Sequence, residues 1–187
     1  MKPTQLPGSQ IETAITPGVA DRQLTSLFSC GGLILSQVCQ LTGLEGHTVQ
    51  NWVKRKFLAP PVKKRYNRNQ LCRLFNINLL KDIFTLEKAV KLLGRVDGGP
   101  CVATGDQMDD SRLYSCLIDC LAALDYPDRI DPGLVGDTVR TVASDIQSPH
   151  RGAELQLWLV LEIMLAACQA QYIRRRVLEM YGRLGNM

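Results

Sequence analysis

The chain has 187 residues, a formal charge of +4, and is 45% hydrophobic, 21% charged and 6% aromatic. That composition excludes disorder and fibrous repeats, and its few aromatics favour an aliphatic helical core over a β-sandwich. The length allows one domain or two small ones.

Residues 1–30 read as an extended arm, punctuated by Pro3, Pro7, Gly8, Pro17 and Gly18, then a short helix over 19–29 that ends at Gly31-Gly32. Lys2 is followed by prolines and polar residues rather than an apolar run, so no export signal is expected. Residues 31–96 read as four short helices with one break. Ile34, Leu35, Val38 and Leu41 follow a helical period, Ser36 is the expected cap, and Gly43 stops the helix. A second helix is expected from Gly46 to Lys56. Ala59-Pro60-Pro61-Val62 cannot be helical, because Pro61 holds Pro60 extended. Asn67 caps a third helix bearing Leu71, Leu74, Phe75, Ile77, Leu79 and Ile83. Thr85 caps a fourth with Leu86, Ala89, Val90 and Leu93 on one face.

The Gly/Pro/Asp cluster over 97–106 reads as a linker. Residues 107–187 then read as a three-helix unit. Asp109 or Asp110 caps a helix carrying Leu113, Leu117, Cys120, Leu121 and Leu124. Asp131-Pro132 opens a second, with Val135, Val139, Val142 and Ile146, ending before Pro149. The last spans about Gly152 to Tyr181. Gln156, Glu162 and Gln169 interrupt its apolar stretch Leu155–Ala170, so a buried helix is expected rather than a membrane span. Apolarity on nearly every side marks a central helix or half of a subunit interface. The expected fold class is mainly α.

Charge is concentrated in the middle. Leu33–Arg95 holds twelve Lys/Arg against three Asp/Glu, and the rest of the chain ten against fifteen. Gly43 sits at the turn between two short helices, as in a helix-turn-helix, whose second helix enters the DNA major groove. In that helix Val49, Trp52 and Val53 are spaced to face inward. His47, Thr48, Gln50, Asn51 and Lys54 are left outward. Gln and Asn can pair bidentately with adenine, and Thr can contact the thymine methyl. Lys54, Arg55, Lys56, Lys63, Lys64, Arg65 and Arg68 follow, placed to neutralise phosphates beside the groove.

Five pieces in order resemble the winged-helix DNA-binding domain of the MerR family of bacterial regulators. They are Leu35–Leu44, Thr48-Val49-Gln50-Asn51-Trp52, Phe57-Leu58-Ala59-Pro60-Pro61, Arg65–Leu71 and Phe84-Thr85-Leu86-Glu87-Lys88-Ala89. The run is most similar to a group of bacterial proteins with a domain of unknown function expected to be MerR-like. The resemblance implies that Thr48, Gln50 and Asn51 face bases or nearby phosphates. Lys54 and Arg55 would then follow the backbone, and Lys63, Lys64 and Arg65 would form a wing. The sequence departs from the family in having His47 and Gln50 for its early basic residues, Glu45 for its capping Ser, and a very short wing. The family commonly dimerises through one long coiled coil. Here a Gly-Pro linker and three helices follow the DNA-binding unit instead.

The expectation is a cytoplasmic, homodimeric transcription regulator that binds double-stranded DNA through residues 31–96. Its C-terminal helical unit, 107–187, dimerises or receives an unknown effector. An excisionase-like or architectural DNA-binding protein is one alternative. A helical protein-interaction module without DNA binding is another. Seven cysteines at no zinc-finger spacing suit reduced structural thiols, Cys116 and Cys120 among them, and only His47 and His150 could supplement them. Arg174-Arg175-Arg176 fits the helix dipole, with Glu179 as partner. No nucleotide-binding or hydrolase motif is present, so no enzyme activity, metal or cofactor is expected.

Overall fold

The computed structural model of the protein describes residues 4–96, 108–126, 131–144 and 151–184. The described residues are mainly helical. Two short antiparallel strands, β1 (Thr4–Gln5) and β2 (Glu12–Thr13), precede α1 (Val19–Leu27), α2 (Leu35–Thr42) and α3 (Gly46–Lys54). Then come α4 (Arg68–Leu80), α5 (Leu86–Leu93), α6 (Asp110–Ala123), α7 (Pro132–Val142) and α8 (Arg151–Leu184). The expected linker 97–106 lies outside the described residues, as do Ile146 and Pro149.

Local chemistry explains most of the boundaries. Asn67, Thr85, Asp109 and Asp131 each accept a backbone N–H of the helix they start, which satisfies donors that no helical turn can reach. Asn67 and Gln70 do so reciprocally. Gly43 ends α2 with φ 70°, a left-handed conformation that glycine adopts without strain. Ser36 is not the cap of α2. The helix starts at Leu35, and the Gln37 side chain reaches back to accept the Ile34 N–H at 3.0 Å. Helix α3 stops at Lys54, two residues before the expected Lys56. Lys56 takes φ 62°, and the Phe57 N–H turns back to the Trp52 carbonyl, closing a Schellman-type end without a glycine.

Helix α4 is the centre of the fold. Leu71, Cys72, Leu74, Phe75, Ile77, Leu79 and Leu80 are all buried, because α2, α5, α6 and α8 pack around it. Helices on both sides of residues 97–106 therefore share one core. A polar stitch joins α4 to α6. Asp110, nearly buried, faces the Arg73 guanidinium at 3.4 Å and accepts from Asn76 Nδ2 at 3.0 Å.

The N-terminal arm belongs to this core rather than lying over it. Leu6, Pro7 and Ile15 are buried. Tyr114 of α6, fully buried, donates its hydroxyl to the Pro7 carbonyl at 2.9 Å. Gly8 has φ 68°, and a Cβ there would sit 2.1 Å from the Phe75 carbonyl oxygen. Asn78 Nδ2 ties the Gly8 carbonyl to that of Thr42, so the arm, α2 and α4 are held at one point.

Helix α8 is long and apolar enough to cross a membrane by composition. In the fold its first half is a core helix, with Leu157, Val160, Leu161, Met164, Leu165 and Cys168 buried. Arg174 does not use Glu179: it pairs with Asp82, Arg175 donates to Gln5, and Arg176 lies over the Tyr172 ring.

Candidate nucleic-acid interface

Helix α3 is oriented by its apolar side. Val49 and Trp52 are buried and Val53 half-buried against the core. The 3.6-residue period then leaves His47, Gln50, Asn51 and Lys54 on one exposed face, with Thr48 half-buried beside it. Among the described residues none of these five makes a side-chain hydrogen bond or ion pair to the rest of the protein, so their polar groups are available to a ligand. Glu45 precedes the helix without capping it through its side chain.

The chain after α3 turns into a minimal hairpin. Val62 and Arg65 exchange both backbone hydrogen bonds, at 3.1 and 2.9 Å. The two residues between them, Lys63 and Lys64, have φ 48° and 61°. Positive φ at both central positions is the signature of a type I′ turn, the one whose twist matches a two-residue hairpin. Such turns favour Asn-Gly, and two lysines there are strained. Both lysines are exposed at the tip. The base is anchored. Leu33 and Tyr66 bridge at 2.9 and 2.8 Å, and Arg65 Nη1 donates to the Gly32 carbonyl at 2.7 Å. Gly32 permits this approach, since a Cβ there would lie 2.9 Å from that of Arg65.

Helix and hairpin meet around one cleft of about 560 Å³. Gln50 and Lys54 of α3 line one side and Lys64 the other, over Leu35, Val53, Pro61 and Tyr66. Tyr66 is 3% exposed, and burial raises its phenol pKa. It is a floor for the cleft, not a charge in it. Sequence periodicity identifies the cations and amides. The apolar floor is missed, because Leu35, Pro61 and Tyr66 come together only when the hairpin folds back on α2.

The expected cations separate into two sets. Lys54, Lys56, Lys63 and Lys64 are exposed and form no ion pair among the described residues. Arg55 is committed elsewhere, pairing with Glu87 of α5 and stacking over the Phe57 ring. Arg68 is half-buried and pairs with Asp21 of α1. Arg65, exposed, spends its guanidinium on the hairpin base. These three arginines brace the site internally.

Among the described residues no group of three or more His, Cys, Asp or Glu could hold a metal. Cys116 and Cys120 are buried and not disulfide-bonded, and burial pushes the Cys120 thiol up to about 12.

Residues 23–99 match a family described as a domain of unknown function (DUF1836), a stretch that takes in the end of α1, α2 to α5 and the whole cleft. No curated protein and no solved structure matches the chain.

Proposed function

We propose that residues 31–96 act as a MerR-like winged helix-turn-helix that binds duplex DNA. Helix α3 enters the major groove, and the Lys63-Lys64 hairpin serves as a short wing on the phosphates. The chain then works as a homodimeric transcription regulator, its C-terminal helices pairing the copies or receiving an effector.

The observation that carries this is the shared cleft. Gln50 and Lys54 of α3 and Lys64 of the hairpin tip rim the same space. A helix offering amides to base edges beside lysines offered to phosphates is the arrangement that groove docking requires. Lys54, Lys56, Lys63 and Lys64 supply phosphate contacts, while Gln50, Asn51 and Thr48 supply base contacts. A two-fold dimer places two such helices about one DNA turn apart and reads a near-palindromic site.

The two-residue tip also favours a second reading, an architectural protein with shallow groove contacts and little sequence preference. Fluorescence anisotropy on DNA from the protein's own upstream region separates the two. Gln50→Ala/Asn51→Ala removes the preference for the cognate site, whereas Lys64→Ala weakens cognate and random duplexes alike. Equal weakening of both duplexes by both variants refutes base reading by α3 and leaves the architectural role.

A further inference from the structure

A second cavity, of about 300 Å³, lies between the N-terminal arm, the end of α4 and the second half of α8. It shares no residue with the cleft beside α3. Its charge is one-sided. Lys81, Arg174 and Arg175 line it against a single carboxylate, Asp82. Asp82 pairs with Arg174 at 3.1 Å. Lys81 is exposed and has no ion-pair partner among the described residues. Arg175 donates from Nη2 to Gln5 Oε1 at 2.9 Å. The guanidinium carries further donors in a planar fork that matches a carboxylate or a phosphate. Tyr126 and Leu178 add apolar surface to the wall.

The same wall reaches the turn between α2 and α3. Gln5 Nε2 donates to Gln10 Oε1 at 3.0 Å, and the Gln10 carboxamide lies over Gly43. The Gln10 N–H donates to the Leu41 carbonyl at 2.7 Å. Asn78, also in the wall, joins the Gly8 and Thr42 carbonyls. Arg175, Gln5 and Gln10 thus connect α8 to the end of α2 by way of the arm.

We propose that this cavity binds a small organic oxyanion, a carboxylate or phosphate monoester on a short carbon chain, which clamps the arm to α4 and α8. The cations select the charge, the amides of Gln5 and Gln171 orient it, and Tyr126 and Leu178 take the carbon skeleton. This gives the effector left open above a chemistry and a site, and only its consequence for DNA rests on the DNA-binding reading. Opening the arm withdraws Gln5 and Gln10 from the wall, so a ligand held there opposes that opening by mass action. Because the arm also holds the end of α2, occupancy of the cavity steadies the turn that positions α3.

The test is calorimetric titration of the full chain at constant ionic strength with succinate, glycerol 3-phosphate, neutral succinamide and inorganic phosphate. Succinate or glycerol 3-phosphate binds with a dissociation constant of about 1 mM or tighter, and the stronger of the two identifies the acidic group. Succinamide and inorganic phosphate bind at least about tenfold more weakly than that probe. Arg175→Gln and Lys81→Gln each weaken its binding about tenfold or more, and Lys91→Gln on α5 leaves it unchanged. Both cavity positions are exposed, so far-UV circular dichroism of the variants matches the wild type. With the probe at about ten times its dissociation constant, hydrogen exchange of the Gln10 amide slows about tenfold. None of these readouts involves DNA, so the site and the DNA-binding reading fail separately. No binding of either organic anion at about 10 mM overturns the proposal. So does equal binding of the neutral or the inorganic probe, full affinity in either cavity variant, or an unchanged Gln10 exchange rate.

Discussion

Replacing Lys63-Lys64 by Asn-Gly sets the stability of the hairpin against its proposed work. Both lysines sit at positive φ, 48° and 61°, where a residue with a Cβ loses roughly 1 kcal/mol or more. Asn tolerates that region and Gly enters it freely. Gly, however, gives back roughly 0.5–1 kcal/mol through a more flexible unfolded chain. Lys63→Asn/Lys64→Gly should therefore gain about 1 kcal/mol, a rise of about 2–4 °C in Tm for a chain of this size. The same change removes two exposed cations from the cleft. At about 0.9 counterions per phosphate contact, the slope of log Kobs against log salt flattens by about 1.8, and affinity at 0.1 M salt falls by about 60-fold. Differential scanning calorimetry and an anisotropy titration over a salt series read the two effects. A lower Tm would refute the strained-turn geometry. An unchanged salt slope would remove the hairpin from the DNA interface.

Gly8→Ala should be far more damaging than an ordinary surface change. Its Cβ would lie 2.1 Å from the Phe75 carbonyl oxygen at a φ of 68°, and a loss of about 3 kcal/mol or more, read as Cm in urea, is expected. Tyr114→Phe leaves the buried Pro7 carbonyl without its donor at 2.9 Å and should cost about 1–2 kcal/mol, with the helix content retained. Thiol labelling of the native protein should reach exposed Cys30 and spare Cys72, Cys120 and Cys168 until unfolding. Burial raises the pKa of those three thiols, Cys120 to about 12. The unfolded chain therefore releases their protons from about pH 9 upward, while the folded chain holds them. Their contribution to stability is complete below pH ~9 and is lost as pH rises further. Chemical denaturation at pH 8 and pH 10 checks the sign.

The starts of α4, α5, α6 and α7 were legible because they rest on side-chain chemistry within three residues, whereas the expected Ser36 cap of α2 was not there. Asn67, Thr85, Asp109 and Asp131 announce themselves as acceptors, and Gly43 announces a left-handed end. The exposed face of α3 was legible for a similar reason, since Val49 and Trp52 fix which way Gln50 and Asn51 point. What escaped was backbone strain and long-range pairing. Nothing about Lys56, Lys63 or Lys64 signals positive φ, so the end of α3 and the hairpin tip could not be read from residue type. Arg55 and Arg68 look like phosphate ligands in a basic run until Glu87, 32 positions away, and Asp21, 47 positions away, arrive beside them. The proline and glycine content of the arm reads as extended chain and does not say how deeply it packs. Leu6 and Pro7 are buried where Tyr114 and Asn78, from distant helices, donate to the Pro7 and Gly8 carbonyls. The all-round apolarity of α8 left a central helix and half of a subunit interface both open, and only the packing shows that Leu157, Leu161 and Met164 face the core while Leu155 and Leu159 stay exposed.

The central claim is that Lys54, Lys56, Lys63 and Lys64, in and beside α3, hold DNA phosphates, and the salt dependence of wild-type binding to duplex DNA tests it most directly. With Lys54, Lys56, Lys63 and Lys64 each neutralising one phosphate, log Kobs should fall against log salt with a slope of about −3.6 per protomer. A slope near zero, or no binding to any duplex at low salt, contradicts the account.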